Sequence, residues 1–402
     1  MPPVHQLDAG PLAGRDWEVV VVGAGPAGSI AAMQLAEAGR RVLLLDRHSF
    51  PREKVCGDGL IADALACLER RGLSEEVRAA AHELGTVSVF SPGGIELEVP
   101  GRFLTIKRRT FDHLLASAAV GRGAVFARGR VTEVDTSPDG SVSLTVLDAD
   151  RPVRARAAVL ATGADVSLLD RRGMVTRPDA HAIALRCYVR STYPLTRLVV
   201  SYDRAIVPGY GWIFPLGDGE FNVGCGVFYR AGATGHVDLR RLYARFVAEV
   251  PIARDLLAGA TSTTPLRGAR LRCGLEGSVA HRAGPVIAVG EAVGATFPFT
   301  GEGIGKAMET GSLGAEVVDA FLSSGDPGAL AALPQRLAEL APRYLGYRAA
   351  ERWLSRPWLN DLVARRARAS HFMRDVLCGI LNETADPRRV FSVGGLVRSL
   401  FR

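Results

Sequence analysis

The sequence predicts an α/β protein with a Rossmann-like domain, a second domain built on an antiparallel sheet, and a helical C-terminal segment. The first supporting observation is a short β-branched run at 18–22, followed by a glycine-rich turn and an alanine-rich helix that Gly39 ends. The second is a series of short alternating apolar segments between about 179 and 264, which is typical of an antiparallel sheet. The third is a helical pattern from Pro334 onward, interrupted by prolines.

The turn after the first strand predicts a dinucleotide site. Gly23 makes the tight turn, Gly25 leaves the backbone bare for a pyrophosphate, and Gly28 lets the helix pack closely on the strand. The free N–H groups at the start of the helix face the anion. A second buried strand, 41–45, ends in Asp46, whose carboxylate is placed to accept hydrogen bonds from an adenosine ribose. The predicted binding residues here are Gly23, Gly25, Pro26, Ala27, Gly28, Asp46 and Arg47.

Composition limits the class of protein. The 402 residues, 48% hydrophobic and 23% charged, are enough for a globular protein of two domains or of one large domain with an appendage. No run reaches the ~18 apolar residues of a membrane span, and the first 15 residues do not resemble a signal peptide, so a cytoplasmic location is expected. The six cysteines are scattered without a C-x-x-C pair. They are expected to be free and mostly buried thiols, and no metal site is predicted.

The net charge of +7 resides in the C-terminal segment. Residues 341–402 contain 12 arginines and 5 acidic residues, which leaves 37 basic and 37 acidic residues in the first 340. No recognisable nucleic-acid-binding module carries this charge, so no nucleic-acid partner is expected. An ordinary solvated helical face is expected here, and peripheral contact with an anionic membrane or binding of a phosphorylated ligand is the alternative interpretation.

Two later strand ends and a helix start favour FAD over NAD as the dinucleotide. The apolar segments 157–161 and 285–289 each end in a glycine-containing turn, and a glycine-rich turn then opens a helix near Ile304. Reduced flavin carries negative charge near N1, which a helix N-terminus stabilises. The predicted contacts from these segments are Thr162, Gly163, Gly290, Glu291, Gly301, Gly303 and Ile304.

Two further segments are candidates for the reaction site. In the loop from Lys54 to Gly59, glycines flank Asp58 beside Cys56, which lets the backbone approach a flat ring; a plain surface connection is the alternative. Tyr210, Trp212 and Phe214 share one face of an extended segment, because side chains alternate along a strand. On spacing alone, this face is expected to lie in the core rather than in a pocket.

With these motifs the sequence resembles the geranylgeranyl reductase family of flavoproteins, whose fold is like that of p-hydroxybenzoate hydroxylase. Within the family it looks most like the bacterial menaquinone-tail reductases. The matching segments span about residues 17 to 320 in the family's order. They are Gly23-x-Gly25-x-x-Gly28, Phe50-Pro-Arg-x-Lys54-x-Cys56-Gly-Asp-Gly-Leu60, Arg108-x-x-Phe111-Asp112, Ala161-Thr-Gly163, Pro208-Gly-Tyr-Gly-Trp-Ile-Phe-Pro215, Asn222-Val-Gly224-x-Gly226 and Pro298-Phe-x-Gly-Glu-Gly-Ile304.

The resemblance implies roles for individual residues. Asp46 would bind the adenosine ribose, Arg108 the pyrophosphate side, and Val131 the adenine through its backbone. The isoalloxazine ring would be bordered by Cys56, Gly57 and Asp58, and the substrate cavity would be walled by Tyr210, Trp212 and Phe214. The chain departs from the family at Gly290-Glu291, where Gly-Asp is usual; Glu291 keeps the carboxylate with one more methylene.

The predicted function is that of an FAD-dependent oxidoreductase that reduces a carbon–carbon double bond in an apolar prenyl-type or natural-product substrate. The predicted catalytic residues are Cys56, Asp58, Tyr210 and Trp212, with Cys56 and Asp58 as candidate acids. The flavin would be reduced by NAD(P)H or another external donor. A flavin monooxygenase or halogenase of natural-product biosynthesis is the alternative, because those enzymes share the fold. A non-catalytic flavin-binding protein at the membrane is the alternative from another class.

The predicted domain boundaries follow the order of these motifs. Residues 1–16 form an N-terminal tail, and 17–82, 103–166 and 275–330 form a discontinuous FAD-binding domain. Residues 83–102 and 167–274 form the substrate domain, and 331–402 form the helical C-terminal segment.

Overall fold

The computed structural model describes residues 7–8, 12, 14–177, 179–229, 237–282, 284–392 and 394. Most of the predicted N-terminal tail and residues 395–402 of the C-terminal segment lie outside the described residues.

The strands in chain order are β1 (Leu7–Asp8), β2 (Asp16–Val22), β3 (Val42–Asp46), β4 (Gly59–Leu60), β5 (His82–Phe90), β6 (Glu96–Thr105), β7 (Val125–Arg128), β8 (Val131–Thr136), β9 (Val142–Val146), β10 (Val153–Leu160), β11 (Ala182–Ser191), β12 (Leu198–Ser201), β13 (Tyr210–Gly217), β14 (Glu220–Phe228), β15 (Ala260–Thr263), β16 (Arg267–Leu271) and β17 (Val286–Ala288). The helices are α1 (Pro26–Glu37), α2 (Ala62–Arg70), α3 (Ser74–Ala79), α4 (Arg108–Gly121), α5 (Ser167–Arg171), α6 (Leu239–Glu249), α7 (Pro251–Ala258), α8 (Ile304–Ser324), α9 (Gly328–Ala331), α10 (Leu333–Ala338), α11 (Ala341–Leu354), α12 (Pro357–Ala369) and α13 (His371–Leu381).

The first sheet, eight strands among the described residues, has the order β1-β7-β3-β2-β10-β9-β8, with β17 beside the second half of β10. Strands β1, β7, β3, β2, β10 and β17 are parallel, whereas β8 and β9 form an antiparallel edge. The central strands are continuous apolar runs because both faces of the sheet are covered; every residue of β3 is buried. The Rossmann-like part of the predicted fold is thereby confirmed.

Helices α1, α4 and α8 pack together beside this sheet, and small residues allow the close approach. A Cβ at Gly311 of α8 would overlap the Ala27 carbonyl of α1. A Cβ at Gly28 would overlap the Gly23 carbonyl oxygen, so the third glycine of the loop is needed for packing, as the sequence predicts. These contacts fix the start of α1 against the carboxyl edge of the sheet.

The second sheet contains nine strands among the described residues, in the order β15-β11-β14-β13-β12-β5-β6-β4. Strand β16 also pairs with β11. Its pairs are antiparallel except for β12 with β5. Alternate residues of β13 face opposite sides. Ile213 joins Phe246 of α6 in an apolar core on one side, while Trp212 and Phe214 face away from that core.

The C-terminal helices cover this other side of the second sheet. Tyr347 of α11, Val363 of α12 and Met373 of α13 share an apolar cluster with Phe297. The buried Asp361 carboxylate accepts hydrogen bonds from the Ser91 hydroxyl at 2.7 Å and the Gly93 N–H at 2.6 Å. The helical segment is therefore anchored to the turn between β5 and β6. None of the described helices combines the length and the apolarity that a bilayer crossing requires.

Candidate active site

A cavity of about 780 Å³ extends from the carboxyl ends of the parallel strands into the space between the second sheet and the C-terminal helices. Four strand ends of the first sheet line it. They contribute Gly23 and Gly25 after β2, Asp46 at the end of β3, Thr162 and Gly163 after β10, and Gly290 and Glu291 after β17. The motifs selected from the sequence therefore meet at one place.

The glycine loop leaves bare backbone opposite two guanidinium groups. A Cβ at Gly23, which has φ +105°, would overlap the Ala161 carbonyl, so only glycine fits this turn. A Cβ at Gly25 would lie 3.7 Å from Arg52 Nη2 and 4.0 Å from Arg108 Nη2, with no closer protein atom. Space, helix N–H groups and positive charge coincide at Gly25, which is the requirement for a pyrophosphate.

A buried carboxylate holds the two arginines in place. Asp112 is fully buried and binds Arg108 in a bidentate manner, at 2.6 Å from Nε and 2.8 Å from Nη2. Arg52 Nη2 lies 3.0 Å from the same carboxylate. Neither Arg52 nor Asp112 was assigned to the site from the sequence. The signal was present, because Arg108 and Asp112 are spaced i, i+4 at the start of a helix.

Asp46 is buried at the end of β3, and both of its oxygens are engaged by the backbone. Oδ2 accepts the Ala24 N–H and Oδ1 accepts the His48 N–H, each at 2.9 Å. The carboxylate thus ties the glycine loop to the second strand and still lines the cavity. Arg47 is exposed and pairs with Asp165 at 3.1 Å. Val131 lies at the start of β8, also on the cavity.

The opposite end of the first-sheet edge is formed by two turns. Gly290, with φ +70°, starts the 3₁₀ turn Gly290–Val293, and the neighbouring Glu291 Oε1 accepts the Arg272 N–H at 3.3 Å. Helix α8 begins at Ile304 with Gly303 as its N-cap. Gly301, Gly303 and Ile304 all line the cavity, so the positive end of α8 points into it.

Asp58 is the centre of a buried hydrogen-bond network that joins the two sheets. Its Oδ1 accepts the Arg108 N–H at 3.2 Å. Its Oδ2 accepts from the Tyr188 hydroxyl at 2.9 Å and from the Asn222 side-chain amide at 2.7 Å. Asn222 also donates to the Cys56 carbonyl at 2.8 Å and accepts from Trp212 Nε1 at 2.9 Å. Tyr188 was not predicted as a partner from the sequence, and Asn222 was noted there only as part of a motif.

This environment changes the acidity of both candidate acids. Burial raises the pKa of Asp58 to about 6, against the opposing effect of the hydrogen bonds from Asn222 and Tyr188. Because every neighbour of the carboxylate is a donor, the network suits ionised Asp58 at neutral pH. Burial also raises the pKa of the Cys56 thiol, although the Arg108 guanidinium opposes this shift. Neither group is a strong proton donor in this setting.

The aromatic face of β13 forms a wall of the cavity. Ring centroids of Tyr210 and Trp212 lie 5.8 Å apart, and those of Trp212 and Phe214 lie 6.5 Å apart. A Cβ at Gly57 would lie 3.3 Å from the Phe214 ring, so the cysteine-glycine loop closes against this wall. The expectation that this face lies in a packed core is wrong, because its three rings line the cavity between the second sheet, the glycine loop and the C-terminal helices.

The residues at the first-sheet edge fit FAD. The bare Gly25, the two arginines and the N-termini of α1 and α8 suit a dinucleotide with a diphosphate and an anionic reduced ring. A model of the family described as FAD binding domain matches residues 16–168.

Menaquinone reductase of Mycolicibacterium smegmatis is 33% identical over 323 residues, which cover 75% of this chain and 76% of the relative. Digeranylgeranylglycerophospholipid reductase 2 of Methanopyrus kandleri is 30% identical, over an alignment that covers 78% of this chain and 80% of that relative. The chain belongs to the geranylgeranyl reductase family. It is an FAD-dependent oxidoreductase of that family.

Solved structures agree on the fold of this family member. A geranylgeranyl bacteriochlorophyll reductase-like protein from Thermoplasma acidophilum superimposes with a TM-score of 0.76 at 20% identity, covering 96% of both chains. A flavin-dependent brominase has the same TM-score at 18% identity, covering 96% of this chain and 98% of its own. The fold is therefore common to reductases and halogenases, and the site must separate the two chemistries.

Proposed function

We propose that this geranylgeranyl reductase family member reduces carbon–carbon double bonds in an isoprenoid chain carried by a lipid. The observation that carries the proposal is the apolar lining of the cavity beyond the aromatic wall. The second sheet contributes Val87, Val89, Val99, Leu198 and Val200, and the C-terminal helices contribute Val363, Ala364, Leu377, Ile380 and Leu381. An isoprenoid chain presents only apolar groups to such a lining, and its burial is favourable at ~25 cal/mol per Å².

The relatives support a lipid substrate. One is named for menaquinone and another for a digeranylgeranyl phospholipid, and both are named reductases. The C-terminal helices line much of the apolar part of the cavity, so length and branching of the substrate would be selected by that segment. The domain boundaries predicted from the sequence stay a prediction, and the helical segment is here assigned a substrate-binding role.

FAD held by the Gly23–Gly28 loop, Arg108 and the start of α8 would supply the hydride for this reduction. The chain's own residues position the substrate and exclude water. Tyr210, Trp212 and Phe214 form one wall, and the Cys56 loop faces them. Asp58 and Asn222 hold that loop at a fixed distance from the wall, so they are positioning residues in this proposal.

A comparison of lipid extracts tests the proposal. Cells that contain the gene and matched cells that lack it are extracted, and isoprenoid lipids are compared by mass spectrometry. A gain of two hydrogen atoms in one lipid class, present only with the gene, is expected. A gain of one oxygen or halogen atom in a product, coupled to oxygen consumption, would instead establish the monooxygenase or halogenase alternative.

Each turnover consumes two electrons, so an external donor must reduce the flavin again. We assign this role to NAD(P)H or another soluble donor. Anaerobic mixing of the holoprotein with NADH, NADPH or dithionite, followed by bleaching of the flavin absorbance, identifies the donor. Bleaching by dithionite alone would exclude both nicotinamides as direct donors.

Peripheral membrane contact is a further part of the proposal, because the substrate is a lipid. Trp358 on α12 is 65% exposed and Leu345 on α11 is 51% exposed. Arg352, Arg356 and Arg365 are exposed on or between the same two helices. An exposed tryptophan among arginines suits the interface of an anionic bilayer, where each basic residue contributes about 1 kcal/mol.

Vesicle flotation tests this contact. The protein should float with vesicles containing phosphatidylglycerol and less with phosphatidylcholine vesicles, and Trp358→Ser should weaken the binding. Serine substitution of Arg352, Arg356 and Arg365 should do the same, whereas substitution of the exposed Arg109, Arg128 and Arg154 should not. Equal flotation of all variants with both vesicle types would show that the exposed face of α11 and α12 faces solvent and does not contact the membrane.

A further inference from the structure

A buried charge cluster adjoins the cavity at the start of α8. Lys306 is fully buried, and its Nζ lies 2.8 Å from Asp63 Oδ2 and 2.6 Å from Glu383 Oε2. The same ammonium lies 4.5 Å from the centroid of the Phe297 ring. Two carboxylates and an aromatic face therefore surround this one cation.

Glu302 is the third carboxyl of this cluster. It lies two residues before α8 and lines the cavity. Its Oε2 is buried and has no hydrogen-bond partner among the described residues. Lys306 is held by Asp63 and Glu383, so Glu302 is left outside the two ion pairs.

The charge balance places a proton on Glu302. If Asp63, Glu302 and Glu383 were all ionised, the one ammonium would leave two buried negative charges uncompensated. Burial, reinforced by the charges of Glu383 and Asp63, raises the pKa of Glu302 well above its usual value. Lys306 and the Thr300 hydroxyl oppose this shift. The carboxyl without an ion pair is thus the one that stays neutral.

The segment that carries Glu302 faces the aromatic wall. A Cβ at Gly301 would lie 3.1 Å from the Tyr210 hydroxyl. Phe299 stacks on Tyr202 with 5.1 Å between ring centroids. Burial is the main cause that raises the pKa values of Tyr202 and Tyr210, so both hydroxyls stay neutral beside this segment. The carboxyl, the wall and the start of α8 therefore border the same space.

The charged and titratable groups around Glu302 come from several elements. They are Asp63 of α2, Lys306 of α8, Glu383 after α13, Tyr202 and Tyr210 of the second-sheet region, and Tyr347 of α11. Arg343 of α11 acts on Glu383 but is paired with Glu309 at 2.6 Å. No other cation of the described residues pairs with the cluster, so Lys306 is what stabilises the carboxylate that remains when Glu302 loses its proton.

We propose that Glu302 is the catalytic acid that supplies the proton in double-bond reduction, a role that rests on the proposed function. The π bond of the substrate breaks. One carbon receives a hydride, with its two electrons, from the reduced flavin, which is oxidised. The other carbon forms a C–H bond with the proton of Glu302. The O–H bond of the carboxyl breaks, its electron pair stays on Glu302, and a proton from water later restores the acid.

This assignment replaces the acids predicted from the sequence. Asp58 is held by three donors and suits the ionised form, so it has no proton to give at neutral pH. Burial raises the pKa of the Cys56 thiol above the already high ordinary value of a thiol, so this group is a poor proton donor. Glu302 is neutral, it lines the cavity, and the Lys306 ammonium can stabilise its carboxylate after the proton has left. Proton transfer to the substrate requires these three properties.

Two measurements on the holoprotein test the assignment. The first is the infrared C=O band of a protonated carboxyl at neutral pH, recorded for wild type, Glu302→Gln and the control Glu316→Gln on the exposed side of α8. The second is reduction of a menaquinone with an unsaturated isoprenoid tail, or of geranylgeranyl diphosphate, with dithionite as electron source. The rate, the FAD content and the incorporation of deuterium from D₂O are followed.

The band is expected in wild type and Glu316→Gln and absent in Glu302→Gln. With FAD content unchanged, Glu302→Gln should lose at least about 10²-fold in rate, and Glu302→Asp should recover part of it. An unchanged band in Glu302→Gln, or a rate within a few-fold of wild type, would overturn the assignment. A wild-type protein that reduces neither probe would count against the proposed function, and the infrared band would still decide where the proton resides.

Discussion

The Asn222 side-chain amide donates a 2.7 Å hydrogen bond to the Asp58 carboxylate and so connects β14 of the second sheet to the Lys54–Gly59 loop that lines the cavity. The same amide donates to the Cys56 carbonyl, and its oxygen accepts from Trp212. One fully buried side chain therefore sets the spacing between the loop and the aromatic wall. The width of the cavity at the reaction site depends on it.

Replacement of Asn222 by Leu should destabilise the protein strongly. Three buried polar groups would lose a partner, and each unsatisfied group costs about 1–3 kcal/mol, so a loss of about 3 kcal/mol or more in the free energy of unfolding is expected. Urea unfolding with excess FAD measures it. The control is Ser262→Ala on the exposed edge strand β15, which should change the stability by less than about 0.5 kcal/mol. A comparable small effect at both positions would remove Asn222 from this role.

Gly25→Val should abolish FAD binding and leave the chain folded. A Cβ at this position would have no protein atom closer than 3.7 Å, so the fold tolerates it, but it occupies the space assigned to the pyrophosphate. Flavin content after gel filtration and circular dichroism measure the two properties. Gly85→Val, on an open and exposed site of β5, is the matched control and should retain FAD. Flavin bound equally by both variants contradicts the assignment of this loop.

The stability difference between wild type and Asp58→Asn should depend on pH. The folded-state pKa of Asp58 is about 6, above the ordinary value of 3.8. Below pH ~4 the group is protonated in both states and imposes no penalty; as pH rises through about 6, the wild type loses up to about 3 kcal/mol relative to the variant. Urea unfolding of both proteins at several pH values between 4 and 8 measures this. A difference that stays constant with pH would show that burial does not perturb Asp58.

Lys306→Met should destabilise the protein by about 3 kcal/mol or more, because it removes a fully buried cation from two partly buried carboxylates. Adding Glu383→Gln should recover part of the loss, since one uncompensated charge is removed. Arg336→Met breaks the surface pair with Glu316 and serves as the control, with an expected loss below about 1 kcal/mol. Equal losses for Lys306→Met and Arg336→Met in thermal or urea unfolding would disprove a buried cluster.

The first sheet and its site could be predicted from the sequence because the information there is local. Gly23, Gly25 and Gly28 lie within one turn, and Asp46 ends the next strand, so spacing alone places them together. The four strand ends then meet because parallel strands share a carboxyl edge. The same local patterns also predicted FAD as the cofactor and the geranylgeranyl reductase family as the family of the chain.

The rest of the site could not be predicted from the sequence because it is made by distant segments. Alternation puts Tyr210 and Trp212 on one face of β13, but what covers that face depends on the Cys56 loop and on helices more than a hundred residues later. Asp63 and Lys306 come from α2 and α8, and Glu383 follows α13. No periodicity indicates that these three side chains meet, and so Glu302 was not identified as the unpaired carboxyl.

Reduction of an isoprenoid double bond by this FAD-dependent protein can be observed in a single reaction. Purified holoprotein is mixed anaerobically with dithionite and a menaquinone bearing an unsaturated isoprenoid tail, and the lipid is analysed by mass spectrometry. We expect a product with two more hydrogen atoms, located in the tail, and none with Gly25→Val. An unchanged tail under these conditions, together with an oxygenated or halogenated product when oxygen and halide are supplied, would refute the proposed reductase activity.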